Sequence, residues 1–405
     1  VEVAYSPTPE SKGSALAGSV NFVPRSSFER VRPVLNYSAS LLMRDDIISL
    51  KKTPGPYRNP GRKVYPGVDF SYIVPVNKRF GFTVSGGTSK QFSAEPISEM
   101  TWRGVTAVTN GTTFPHTTPD KPYLSSYRVR DGGRENHRHS FGTSLDWKVT
   151  AYDRLSFGFQ TTFTSFQSTI HTIIFNVNNV PAGNFTTGYT HGATGAGSMD
   201  LNSFCRDMVA RVYSPSIRWR HDGPTWKAEA GAGFSLASTK ERDAGKGFFQ
   251  SATARRSGLT IAFDDIFYLR PGRITVTGAA GQPVDPFNIG TYGLISGSST
   301  QTDSYDLKRS AFANASRNFD WRVPFTAKIG VEVLNPMRDL RGGVEPWSFV
   351  GADRSANTAD DNMAQFVNRS WLGAPGSFGF PKMPPTDAWA IYDTFRENPS
   401  YFVSA

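Results

Sequence analysis

Few residues in this chain are spaced for catalysis. His137 and His139 stand two apart around Arg138, a spacing that can offer two imidazoles to a metal. No third ligand accompanies them, so the pair reads as an exposed loop-edge feature. Asp264-Asp265, and Asp353 with Asp360-Asp361, put carboxylates in presumptive outer loops without the regular oxygen spacing of a calcium loop. They read as solvated turn acids. The glycine-dense run Gly192 to Gly197, GATGAG, lacks the strand–turn–helix setting in which such a run cradles phosphate. Cys205 is the only cysteine, which rules out an intrachain disulfide and leaves no paired-thiol motif. HExxH, GxSxG and Walker patterns are absent from the sequence. The expectation is a protein that is not an enzyme and uses no cofactor and no resident metal.

Binding is better provided for. The last part of the chain carries Trp347, Trp371, Trp389, Phe378, Phe380 and Tyr392 among Asp, Asn and Arg residues. Aromatic planes beside hydrogen-bonding groups suit sugar rings, catecholate chelates and other amphipathic ligands. Trp347, Trp371, Trp389 and Phe380 are the expected substrate contacts. The same rings would also serve to pack the segment on itself as a lid.

The elements that must position these groups are strands. In HSFGTSLDWKV, His139, Phe141, Thr143, Leu145, Trp147 and Val149 fall on one face, and Ser140, Gly142, Ser144, Asp146 and Lys148 on the other. After AYDR the alternation resumes, with Leu155, Phe157, Phe159 and Phe163 opposite Ser156, Gly158, Gln160 and Thr162. Period two marks strands with two unlike faces, and two such runs around a tight link mark a hairpin. Similar runs begin at Pro33, Val64, Phe80, Trp226 and Phe325, and with weaker ones near Val209 and Leu307 they make about nine strands. No apolar run approaches the roughly 18 residues of a membrane helix, which leaves a β-barrel open because its strands spend only alternate residues on lipid.

The links between strands are polarised. Those at 77–79, 151–154, 221–224 and 320–324 are hairpin-short, whereas 45–62, 93–138, 169–205, 237–306 and the stretch after Leu334 are long. Strict alternation puts every short turn at one end of an antiparallel meander, as in outer-membrane barrels. The polar faces also carry Asp146, Lys148, Gln160, Lys227 and Glu229, more charge than a dry sandwich core holds. Tyr37, Tyr72, Trp147, Trp219 and Trp226 suit interfacial girdles. An odd strand count cannot close such a barrel, so the chain is expected to be cut at both ends. The formal charge of +10 comes from scattered basic residues without a nucleic-acid motif, so no nucleic-acid partner is expected. Contact with an anionic membrane surface is the alternative use of that charge.

The first residues carry a resemblance. Val1-Glu2-Val3, the PTPE element at 7–10, and AGSVNFVPRSSFE, with Gly18, Ser19, Val20 and Asn21, resemble the end of the plug domain of TonB-dependent outer-membrane receptors, just ahead of barrel strand one. Ala17 replaces the first glycine of the family's pair, and Tyr5-Ser6-Pro7 replaces its usual Arg-Gly-Pro. The resemblance implies an all-β fold: residues 1–28 as the end of a plug, and 29–405 as the first part of an antiparallel transmembrane barrel of about 22 strands with long extracellular loops. It implies a Gram-negative outer-membrane importer of a scarce, large nutrient such as a ferric siderophore or a glycan. The implied partners are outer-membrane lipid, the small-molecule or oligosaccharide substrate, and a TonB-type energy-transducing protein that pulls on an N-terminal box upstream of Val1. The alternatives are a passive outer-membrane channel and a soluble β-rich glycan-binding protein.

Overall fold

The computed structural model describes residues 2–4, 19–21, 26–44, 48, 50–104 and 117–405. Sixteen strands appear among them: β1 (Glu2–Ala4), β2 (Ser19–Asn21), β3 (Val34–Leu42), β4 (Tyr65–Pro75), β5 (Phe80–Ala94), β6 (Ile97–Arg103), β7 (Tyr123–Lys148), β8 (Asp153–Asn176), β9 (Thr190–His191), β10 (Gly197–Asp222), β11 (Trp226–Arg242), β12 (Ser251–Phe267), β13 (Arg270–Gly278), β14 (Gly293–Phe319), β15 (Phe325–Phe349) and β16 (Phe402–Ser404). One α-helix, α1 (Ala388–Glu397), is capped by Asp387, which accepts from the amides of Trp389 and Ala390 at 3.0 and 3.1 Å. The fold is all-β, and no helix among the described residues is long and apolar enough to cross a membrane.

Strands β3, β4, β5, β7, β8, β10, β11, β14 and β15 pair antiparallel in chain order and form one wall. Among the described residues β3 and β15 do not pair with each other, so the wall is an open sheet. Its hairpin ends lie at 76–79, 149–152, 223–225 and 320–324, all at one end of the wall. The other end differs from the sequence expectation of long structureless loops. Strands β7, β8, β10 and β14 continue upward to 24–27 residues each, and β12 takes the place of β11 beside β10 and β14. The alternation fades there because Arg, Asp and Gly, as in RVRDGGRE, interrupt the apolar series without ending the ladder.

The continuous registers allow one face to be followed along its whole length. In the lower half, the row Trp147, Leu155, Trp219 and the row Leu145, Phe157, Ile217 project on the same side. Tyr37, Leu145, Trp147, Ile217, Ile329 and Val331 are all exposed there, forming an apolar surface far broader than scattered hydrophobes on a soluble domain. In the upper half the same face supplies the rows Val129, Ile173, Leu201 and Tyr127, Phe175, Met199, which are fully buried. The segment from 350 to 402 covers them. The opposite face of the lower half is small and polar, with Thr83 and Ser144 bonded at 2.6 Å and Ser214 and Ser235 at 3.2 Å.

Candidate functional site

Among the described residues, the N-terminal segment meets the wall on the polar face. Asp146 projects from it near the hairpin end and is buried. One carboxylate oxygen accepts from Ser26 Oγ at 3.1 Å, the Ser27 amide at 3.0 Å and Ser27 Oγ at 3.2 Å. The other accepts from Arg154 Nη2 at 2.7 Å and Ser156 Oγ at 2.6 Å. A buried carboxylate with five donors, one of them an arginine, is fully compensated, and losing any large part of that set leaves a charge stranded.

Local chemistry shapes the segment for this contact. Residues 27–29 form a single helical turn closed by a capping box, in which Ser26 Oγ accepts from the Phe28 amide at 3.2 Å and Glu29 from the Ser26 amide at 3.4 Å. Phe28 then lies 4.5 Å from Lys148 Nζ and 5.5 Å from the Arg154 guanidinium carbon, within cation–π range. Gly81 faces Asp146 across the β5–β7 ladder, and a Cβ there would stand 2.5 Å from Ser27 Oγ and 2.9 Å from the Val74 carbonyl oxygen. Glycine makes the room that the docked serine fills. Sequence reasoning placed Asp146 on a polar face but missed this clamp. The Ser26-x-x-Glu29 capping signature was the available signal; its partners lie about 120 residues away.

Of the plug-tail residues, Val1 and Gly18 fall outside the described residues. Glu2 and Val3 pair with Asn21 and Val20 in the short β1–β2 ladder, separate from the wall.

The four expected substrate aromatics all lie with the upper cover, on the side of the wall away from Asp146. Trp371 donates from Nε1 to the Gly55 carbonyl at 3.1 Å and sets its edge on buried His171, ring centroids 5.3 Å apart. Phe380 stacks on Tyr127 and also meets Phe175 and Phe287. Trp347 packs on Phe395, and Trp389 on Phe248. The structure gathers these rings into the cover, each engaged by the protein's own side chains. Trp389 also borders a cleft of about 370 Å³, shared with Tyr57, Asn59, Gln167, Asp207 and Lys246.

The other sequence candidates resolve locally. His137 and His139 sit with ring centroids 4.4 Å apart, and no group of three metal-ligating side chains occurs among the described residues. Asp264 is shared by His191 at 2.8 Å and Arg273 at 3.2 Å, and these partners hold its carboxyl below the ordinary range. Asp360 ties its own loop by accepting from the Ala352 amide at 2.7 Å and Thr358 Oγ1 at 2.6 Å. Cys205 is wholly buried beneath Ala388 and Phe248, and burial pushes its thiol up to about 12. Such a thiol is chemically quiet.

Known relatives do not extend the picture. No family model, curated protein or solved structure matches the chain.

Proposed function

We propose that this chain forms part of the wall of a TonB-dependent outer-membrane receptor, with its first residues as the end of a plug lodged against the inside of that wall. The observation that carries the reading is the two-faced lower half of the sheet. One face exposes a continuous apolar surface from β3 to β15, and the other is polar and receives residues 26–29 at Asp146. In water the first face is a liability; against hydrocarbon it is the solvated state. Among the described residues the edge of β3 and the lower edge of β15 are unpaired, and lipid does not tolerate such edges, so the reading calls for further strands to complete a closed barrel.

In this reading the apolar face meets acyl chains, the polar face lines the lumen, and the short links face the periplasm. Cargo passes on the Asp146 side. The clamp holds the last turn of the plug to the wall while the rest is moved by an energy-transducing partner. The aromatics of the cover serve as packing for the extracellular rim, with the cleft at Trp389 as their remaining open edge.

The test is made on the full-length protein in a Gram-negative host. The reading expects outer-membrane fractionation, heat-modifiable gel migration and cargo uptake that stops when the membrane is de-energised. Recovery in the soluble fraction without detergent would sink it, and uptake indifferent to energisation would mark a passive channel instead.

A further inference from the structure

Four basic residues of the wall stand at a common height. Measured from the hairpin end, Lys90 stands ten residues above Phe80 on β5, His139 nine above Lys148 on β7, Arg211 eleven above Asp222 on β10, and Arg309 ten above Phe319 on β14. The registers put all four on the apolar face: Lys90 pairs with His137, His139 with Phe163, Phe163 with Arg211, and Phe234 with Arg309. Below them that face is mainly Phe, Leu, Val, Ala, Thr and Trp, broken near the hairpin end by His221 and by Arg317, which lies over the Trp226 and Phe319 rings. At about 3.3 Å per residue and a tilt of roughly 45°, ten residues climb about 23 Å, close to the ~25 Å apolar band of an outer-membrane barrel.

Lys90, His139, Arg211 and Arg309 therefore share one level, the upper boundary of the band, while Arg317 stands at its hairpin end. Arg211 and Arg309 are exposed and have no carboxylate partner among the described residues. Arg211 lies over the Phe163 ring at 5.7 Å, its head free above an apolar base. Further up the same face Lys240 and Arg242 share Asp303, and Arg341 pairs with Asp339. Cations outnumber acids along this level, and the two unpaired arginines stand closest to the apolar edge.

We propose that Arg211 and Arg309 each bind a phosphate of an anionic lipid headgroup in the leaflet that faces the long connections. The acyl chains of that lipid lie against the apolar rows below. Guanidinium groups suit phosphate because their planar fork donates two parallel hydrogen bonds. The site rests on the membrane-wall reading: the apolar rows supply the half of the ligand that a free anion lacks.

The experiment uses full-length protein purified from outer membranes in mild detergent. Native mass spectrometry counts retained phosphorylated lipid, and delipidated protein is then offered phosphatidylglycerol, phosphatidylcholine or inorganic phosphate. The wild type is expected to retain and rebind anionic lipid. An Arg211→Glu/Arg309→Glu variant should lose at least several-fold of it while keeping heat-modifiable migration. Arg138→Glu, at the same height on the opposite face, should bind as wild type. Should the reversed pair fail to assemble, Arg211→Gln/Arg309→Gln is read in the same way. Wild-type retention in the assembled pair variant would overturn the proposal, as would equal occupancy by inorganic phosphate or by phosphatidylcholine. Wild-type protein found outside the membrane fraction would instead overturn the wall reading itself.

Discussion

Asp146 and Gly81 face each other across the β5–β7 ladder, and Ser27 occupies the volume that a side chain at 81 would need. The carboxylate recruits the serine, and the glycine leaves it space. Loss of either should release the same segment by a different route. Gly81→Val is expected to displace residues 26–29 while leaving the wall paired, and protease sensitivity near Ser26 reports the release. A Gly81→Val protein cut no faster than wild type would show that the segment is held from elsewhere.

The ion pair inside the clamp should be strongly coupled. Asp146→Ala removes the acceptor of Arg154 and of three serines, a loss of roughly 1–3 kcal/mol because the arginine is already one-third exposed. Arg154→Met in that background should cost much less than it does alone. Urea midpoints of the two single variants and the double variant measure the coupling, and strictly additive values would mean that Ser156 and the Ser27 amide carry the contact without the arginine.

Adjacent residues on β7 should answer oppositely to the same substitution. Leu145→Arg places a charge on the apolar face, where an outer-membrane barrel loses about 2–4 kcal/mol at midplane. Ser144→Arg points to the polar side, beside Thr83, and is expected to assemble normally. The folded fraction by heat-modifiable migration decides, and equal tolerance would reject the assignment of faces.

His171 predicts an acid-labile cover. It is wholly buried under Trp371 with only a long 3.4 Å contact to Thr386, and burial lowers its imidazole to about 4. Near neutral pH it is uncharged in both states and imposes no penalty. As pH falls below the unfolded value of about 6.5, the unfolded chain takes up a proton that the native one refuses. Stability of the cover should then fall by up to roughly 3 kcal/mol between about pH 6.5 and 4, and level off below. Hydrogen exchange across 368–374 follows this, and His171→Gln should flatten it. An unchanged slope in that variant would assign the acid response to other groups.

The lower wall was legible in the sequence because each strand there has one solvent per face. Phe141, Leu145 and Trp147 against Ser140, Ser144 and Asp146 is an unambiguous period of two, and the register keeps it. The upper wall was not legible. Its covered face mixes Asp131, Gly133 and Glu135 with Tyr127 and Val129, and each polar group is satisfied by a distant segment, as when Ser377 donates to Asp131. Tyr65 and Lys90 reach Glu135 in the same way. Partners separated by tens to hundreds of residues leave no periodic trace. The clamp at Asp146 was hidden for the same reason, although the turn that fills it announced its own capping box.

The cover on the upper wall changes what the chain must borrow from its surroundings. A sheet with large apolar rows along one side has to shield them from water. Here the stretch from 350 to 402 shields the upper rows with the protein's own rings, while the lower rows, from Trp147 to Val333, have no internal cover among the described residues. The molecule thus carries its own escort for half of its greasy side. In the proposed reading only the remaining half, about ten residues deep on each strand, needs a chaperone in transit and a membrane at the end.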